Sequence, residues 1–149
     1  ALGQGRRWVV GVRGNHDTFQ SQSTDPLDGL ILLEGSAVTL DEIHFGGVDG
    51  IIGNPKKPRK TTEKYFIETI ERLMQEGIEI LILHEGPSGD EPHLRGSSAV
   101  RKCLSHARDL LVVFGHCHWS EPMHSLNESA QLINVDSRVI VLVREGWQS

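Results

Sequence analysis

The chain has 149 residues, of which 38% are hydrophobic and 23% charged, and its formal net charge at pH 7 is -5. These values are typical of a globular protein, and we expect residues 1–149 to form a single domain. The acidic balance excludes broad, sequence-independent nucleic-acid binding, which needs a basic surface. No apolar run approaches the ~20 residues that cross a membrane. With only two cysteines there is no disulfide framework, so we expect a cytoplasmic protein.

The first half of the chain is predicted to be rich in strands. Trp8 to Val12 is apolar except for one glycine and predicts a buried strand. It ends in Arg13-Gly14-Asn15-His16-Asp17, where glycine permits a tight turn and three polar side chains gather. A polar surface loop is expected at Thr18–Gly29. Three short strands should then form a β-meander, at Leu30–Leu33, Ala37–Leu40 and Ile43–Val48.

The second half alternates helices and strands. Thr62 to Glu76 has an apolar stripe at helical spacing, a threonine cap and a terminal Gly77, and predicts a packing helix. A buried strand from Ile78 to Leu83 leads to His84, and a second helix should begin at Ser97 or Ser98 and end near Ala107. The remaining predicted elements are strands at Leu110–Phe114, Gln131–Val135 and Arg138–Val143. This alternation predicts an α/β layered sheet.

Histidines follow two of the predicted buried strands. His84 follows one strand, and Gly115-His116-Cys117-His118 follows another. In extended backbone, residues two apart share a face, so His116 and His118 should point the same way and can hold a metal ion. On that stretch alone, two solvated histidines at a strand end are an equally good interpretation.

Taken in order, three motifs resemble the later motifs of the calcineurin-like metallophosphoesterases: Gly14-Asn15-His16-Asp17, His84 after an apolar strand, and Gly115-His116-Cys117-His118. The resemblance spans Val9 to about Val143. It implies an α/β fold, a two-sheet β-sandwich flanked by helices, with two divalent metal ions (Mn, Fe, Co, Ni or Zn) at the strand ends.

The resemblance also implies roles for individual residues. Asn15, His84 and His116 would ligate one metal ion, and His118 the other. His16 would lie near the leaving-group oxygen, and Asp17 would orient its ring. The implied reaction is hydrolysis of a small phosphomonoester, phosphodiester or nucleotide by metal-activated hydroxide. The residues that bind the substrate are not identified, although a cationic loop, Lys56-Lys57-Pro58-Arg59-Lys60, is a candidate for phosphate contacts.

The chain also departs from that family. The family's first two motifs, Asp-x-His and Gly-Asp-x-x-Asp, do not occur, and they supply the other metal ligands. We therefore favour a C-terminal portion of a longer enzyme, whose first strands and ligands lie on an N-terminal segment or on a second chain. The alternatives are a catalytically inactive binding or scaffold module on the same fold, and an unrelated α/β domain.

Overall fold

The structure, a computed structural model, describes residues 8–17 and 30–142, so the predicted loop at Thr18–Gly29 lies outside the described residues. The described elements follow one another as β1 (Val9–Gly11), β2 (Leu30–Leu32), β3 (Ser36–Leu40), β4 (Ile43–Val48), β5 (Ile51–Ile52), β6 (Lys60–Thr61), α1 (Glu63–Gln75), β7 (Ile80–Glu85), α2 (Ser98–Leu104), β8 (Leu110–Gly115), β9 (Met123–Ser125) and β10 (Ala130–Asn134). The predicted α/β class is confirmed.

A six-stranded mixed sheet forms the centre of the fold, in the order β3-β4-β7-β8-β10-β9. The four middle strands β4, β7, β8 and β10 run parallel, and the two edge strands β3 and β9 are antiparallel to their neighbours. Parallel strands end at the same edge of a sheet, and side chains there can converge on one site. Two further sheets have two strands each, β1-β2 and β5-β6.

Both helices pack on one face of the large sheet. The apolar stripe of α1 buries Phe66, Ile70 and Leu73 completely, in one core with apolar residues of α2 and the central strands. The ends of α1 are those that the sequence predicts, because the Thr62 hydroxyl accepts a hydrogen bond from the N–H of Tyr65 and Gly77 has a positive φ of 79°.

The β1-β2 pair lies against the other face of the large sheet. Consecutive residues of a strand face opposite sides of the sheet. In β4 the consecutive residues Gly46 and Gly47 therefore face opposite sides. A Cβ on Gly46 would lie 2.9 Å from Ile78, on the helical side, whereas one on Gly47 would lie 2.6 Å from Leu33. The two glycines therefore let a layer approach β4 closely on each side, which gives a layered arrangement of helices, large sheet and small sheet.

Two predictions about strands need correction. β2 pairs in parallel with β1 rather than continuing a meander, and of the three predicted meander strands only β3 and β4 pair as a hairpin. The predicted closing strand at Arg138–Val143 is not a strand over residues 138–142, where Val139 is 91% exposed, and Val143 lies outside the described residues. The short edge strand β9 was not predicted. Within the described ranges, no helix is both long and apolar enough to cross a membrane.

Candidate functional site

Polar side chains gather where the parallel strands end. Asn15 follows β1, His84 lies in β7, and His116 follows β8 directly. β10 contributes its last residue, Asn134, and then Asp136 two residues later. Because β7, β8 and β10 are parallel neighbours, their carboxyl ends bring residues from three distant parts of the sequence to one edge.

Asn15, His84 and His116 lie together, and we call them the amide–imidazole cluster. The Nε2 atom of His84 is 3.0 Å from the Oδ1 atom of Asn15, and the ring centroids of His84 and His116 are 4.9 Å apart. Gly14 makes this approach possible, since a Cβ there would lie 2.8 Å from Cε1 of the His84 ring. The structure thus brings together the three residues that the sequence resemblance implied as ligands of one metal ion.

His84 has a depressed pKa. Its partial burial is the largest cause, the nearby His116 ring lowers the pKa further, and the carboxylates of Asp17 and Asp136 act in the opposite direction. His16 also contributes a small lowering, which places it within electrostatic reach of the cluster. A neutral imidazole offers a lone pair, so the environment of His84 favours the form that accepts a hydrogen bond or ligates a cation.

The strand alternation that predicts a shared direction for His116 and His118 does not extend to these two residues. β8 ends at Gly115, and His116 adopts a left-handed conformation with φ 67°. The extended geometry that would align His116 with His118 therefore stops before both residues. His118 instead lies beside Asp136, with 3.5 Å from Nδ1 to Oδ2, and beside the Arg138 guanidinium.

The turn after β1 places His16 and Asp17 at the surface. The Oδ2 atom of Asp17 accepts a hydrogen bond of 2.6 Å from the backbone N–H of Gly14 and closes this turn. Among the described residues, the hydrogen-bond partner of this carboxylate is therefore Gly14 and not the ring of His16. The backbone oxygen of Asp17 accepts a hydrogen bond of 2.6 Å from Nε of Arg59, which connects the turn to the cationic loop. His16 is exposed.

Two buried residues hold the loop that carries His116 and His118. Asn134 is fully buried, and its Nδ2 donates a hydrogen bond of 2.7 Å to the carbonyl oxygen of Cys117. Its Oδ1 accepts one from the backbone N–H of Asp136, at 3.3 Å. Trp119 is also fully buried, and its Nε1 donates to the carbonyl oxygen of Arg95 at 2.7 Å. These bonds fix the loop to β10 on one side and to the 88–96 loop on the other.

Sequence reasoning missed Asn134, Asp136 and Arg138. The signal was available, because Asn134 lies near the end of the predicted strand Gln131–Val135 and Asp136 directly follows it, as other site residues follow their strands. The alternating pattern of this stretch predicts closing strands, and in that interpretation its apolar residues pack while its polar residues have no special role.

A cleft of about 620 Å³ opens beside His116, lined in part by Glu85, Arg95 and Cys117. Burial raises the pKa of the Glu85 carboxyl, although Oε2 accepts a hydrogen bond of 2.5 Å from the N–H of Ile52. Burial likewise raises the pKa of the Cys117 thiol, and the neighbouring carboxylates of Glu85 and Asp136 add to this effect. Cys117 is therefore poorly suited to act as a nucleophile.

The described residues fit one divalent cation only in part. The 3.0 Å between Asn15 Oδ1 and His84 Nε2 matches two adjacent ligands of an octahedral ion at ~2.1 Å from each. Within residues 8–17 and 30–142, no three His, Cys, Asp or Glu side chains form a group that could hold a metal ion. The cluster therefore needs further ligands, preferably anionic oxygens. The second predicted ion stays a prediction, and the His118 ring that would hold it lies beside both the Arg138 guanidinium and the Asp136 carboxylate.

Comparisons with known proteins bear on the fold. The chain is similar to the crystal structure of TT1561 of Thermus thermophilus, with a TM-score of 0.58 and 14% sequence identity. The match covers 73% of this chain and 50% of TT1561, so the chain spans about half the length of that protein. No protein-family model matches the chain, and no curated protein sequence is significantly similar to it. At this identity the likeness concerns the fold alone.

Proposed function

We propose that the chain carries part of the active site of a metal-dependent phosphoesterase of the calcineurin-like type, which hydrolyses a small phosphomonoester or phosphodiester. The observation that carries the proposal is the amide–imidazole cluster at the carboxyl edge of the sheet, with His84 Nε2 3.0 Å from Asn15 Oδ1 and the His116 ring beside it. Burial and the neighbouring His116 ring lower the pKa of His84, which favours the neutral form that a cation needs.

In this proposal each residue has a defined task. Asn15, His84 and His116 hold one divalent cation, which when bound supplies Lewis-acid activation of the phosphoryl group and lowers the pKa of water. His16, exposed next to the cluster, donates a proton to the departing oxygen. Asp17 holds the Gly14–Asp17 turn in shape through the N–H of Gly14. The missing anionic ligands come from a further segment or a second chain, which remains our preferred interpretation.

One observation favours a second candidate, a binding or scaffold module without catalysis. The described residues contribute no carboxylate to the amide–imidazole cluster: Asp17 is bound to Gly14 N–H and Asp136 lies beside His118. A hard divalent cation held by neutral ligands alone is bound weakly. A module of this kind would keep the fold and the cleft and have no turnover.

The decisive experiment measures hydrolysis of p-nitrophenyl phosphate and its bis-ester with added Mn²⁺, together with bound metal. The test variant is His84→Ala, and the control is His106→Ala, an exposed histidine after α2 at the opposite edge of the sheet. Loss of a residue that supports a ligand typically costs 10–100-fold, so loss of a direct ligand should lower the metal-dependent rate by about 100-fold or more. His106→Ala should stay at the wild-type rate.

The outcomes separate the candidates. Turnover that is equal in His84→Ala and wild type would contradict the proposed site. Stoichiometric metal without turnover in the wild-type chain would favour the binding module.

A further inference from the structure

Arg138 lies over the face of the His118 ring. Its Nη2 atom is 3.3 Å from Nδ1 and 3.2 Å from Nε2 of that ring. An atom in the ring plane cannot be equally close to both nitrogens, because the Cε1 atom and its hydrogen stand between them. The Nη2 atom must therefore lie out of the ring plane, over the face of the imidazole.

The guanidinium is held by neutral acceptors. Nη2 donates a hydrogen bond of 2.5 Å to the carbonyl oxygen of Trp119, and Nε donates one of 3.3 Å to the backbone oxygen of Asp136. In the described part of the chain, no carboxylate forms an ion pair with Arg138, whereas Arg13 and Arg59 both pair with Asp49. Arg138 thus brings a fixed positive charge to the carboxyl edge of the sheet.

Its neighbours leave it able to bind an anion. The nearby Asp136 carboxylate lies 3.5 Å from Nδ1 of His118 and accepts a hydrogen bond of 3.3 Å from the Ser137 hydroxyl, so it is directed to those groups. The Nη1 group of Arg138 hydrogen bonds to none of the described residues, and it retains two N–H donors. Guanidinium donors of this kind suit the oxygens of a phosphate group.

We propose that Arg138 is the second cation of this site, so that the chain binds one divalent ion at Asn15, His84 and His116 and uses the Arg138 guanidinium to bind a phosphate oxygen. This inference rests on the proposed function, and it replaces the second metal ion that the sequence resemblance implied at His118. A divalent ion on that ring would lie against the guanidinium charge, whereas a phosphate oxygen would be attracted to it. Arg138 would set the preference of the site for a phosphoryl dianion over neutral esters.

The test is binding of inorganic phosphate to the metal-free chain, measured by isothermal titration calorimetry. We expect binding by the wild-type chain and a loss of affinity of about tenfold or more in Arg138→Met, because charge-assisted hydrogen bonds to the anion are removed. Arg108→Met is the matched control, since it removes one charge from an exposed position before β8, at the opposite edge. It should remain within about twofold of wild type.

A second variant and a second measurement keep the test decisive. Arg138→Gln is neutral, and its amide nitrogen stands near the position of Arg138 Nε, which donates to the backbone oxygen of Asp136, so it serves if the methionine variant does not fold. Metal analysis after equilibration with Mn²⁺ should give at most one ion per wild-type chain. Wild-type phosphate binding that is undetectable, or unchanged in the arginine variants, would overturn the inference, as would two bound ions per chain.

The same assay separates this inference from the proposed function. His84→Ala should lose hydrolysis and bound Mn²⁺ yet keep metal-free phosphate binding within about threefold of wild type, because Arg138 is held by His118 and Trp119. If His84→Ala has no effect on hydrolysis while Arg138→Gln abolishes phosphate binding, the proposed function fails and the anion site stands.

Discussion

Replacement of Asn134 by alanine should loosen the loop that carries His116 and His118. The Asn134 side chain is fully buried and bonds to the Cys117 carbonyl at 2.7 Å and the Asp136 N–H at 3.3 Å. Alanine leaves both backbone groups without these partners. A buried group that loses its partner costs ~1–3 kcal/mol, and the lower half of that range applies to these two because both hydrogen bonds are only part-buried. We therefore expect Asn134→Ala to lower the free energy of unfolding by about 2–4 kcal/mol. For a chain of this length this corresponds to a fall in Tm of about 5–15 °C.

The chain offers a matched control in Asn127. Its side chain also bridges backbone groups, with Nδ2 donating to Ala107 O at 2.9 Å and Oδ1 accepting from the N–H of Ser129 and Ala130. It lies at the amino ends of β8 and β10, at the edge away from the site. Asn127→Ala should therefore cost a similar free energy of unfolding while leaving the site geometry unchanged.

The assay combines urea unfolding with phosphate and Mn²⁺ binding for wild type, Asn134→Ala and Asn127→Ala. We expect both variants to lose stability, and only Asn134→Ala to lose affinity for the site's ligands. An Asn134→Ala variant whose unfolding free energy lies within about 0.5 kcal/mol of wild type would refute the energetic argument. Equal ligand affinities in the two variants would refute the positioning role of Asn134.

Three further predictions concern Gly14, Glu85 and Cys103. In Gly14→Ala the new Cβ would lie 2.8 Å from the His84 ring, so we expect about 1–3 kcal/mol of destabilisation by urea unfolding and weaker Mn²⁺ binding by calorimetry. Because the folded state raises the pKa of Glu85 above its ordinary value, that carboxyl reduces stability as pH rises through the interval between the unfolded and folded pKa values. Glu85→Gln should therefore gain stability relative to wild type above this interval and lose that advantage below it, as thermal melts from pH 4 to pH 8 would show; a pH-independent difference would contradict the assignment. Burial raises the pKa of the Cys103 thiol to about 11, so iodoacetamide at pH 8 should alkylate it about 100-fold more slowly than an ordinary thiol, and a rate near that of free cysteine would refute the burial argument.

Much of the fold could be predicted from hydrophobic periodicity. α1 has a strong apolar stripe with a capping threonine and a terminal glycine, and the structure places its ends within a residue or two of the prediction. The buried strands β7 and β8 are short apolar runs between turn residues, and they were found for the same reason. Strand partners were harder, because pairing depends on tertiary contacts rather than local pattern. The parallel pairing of β2 with β1 is the clearest example.

In the candidate site, too, residues with a local sequence signal could be predicted and those that depend on tertiary contacts could not. Asn15, His84 and His116 were selected from their positions after predicted strands, and the structure brings them together. The strand periodicity used to align His116 with His118 does not reach them, because the extended conformation ends at Gly115, so the role of His118 stays a prediction. The roles of Asn134 and Arg138 depend on one side chain reaching a loop 17 or more residues away, as in the bond from Asn134 to Cys117. No local pattern in the sequence encodes that contact.

The amide–imidazole cluster joins two layers of the fold. Asn15 belongs to the turn after β1, in the small sheet, while His84 and His116 come from the large sheet, and Gly47 sets how closely the two sheets approach. A ligand held by both Asn15 and His84 would act as a non-covalent cross-link between the sheets. Its binding energy would then add to the cohesion of the layers, as RT ln(1 + [L]/Kd). Ligand binding at the site should therefore raise the free energy needed to separate the two sheets, and that increase can be measured either from ligand affinity or from unfolding.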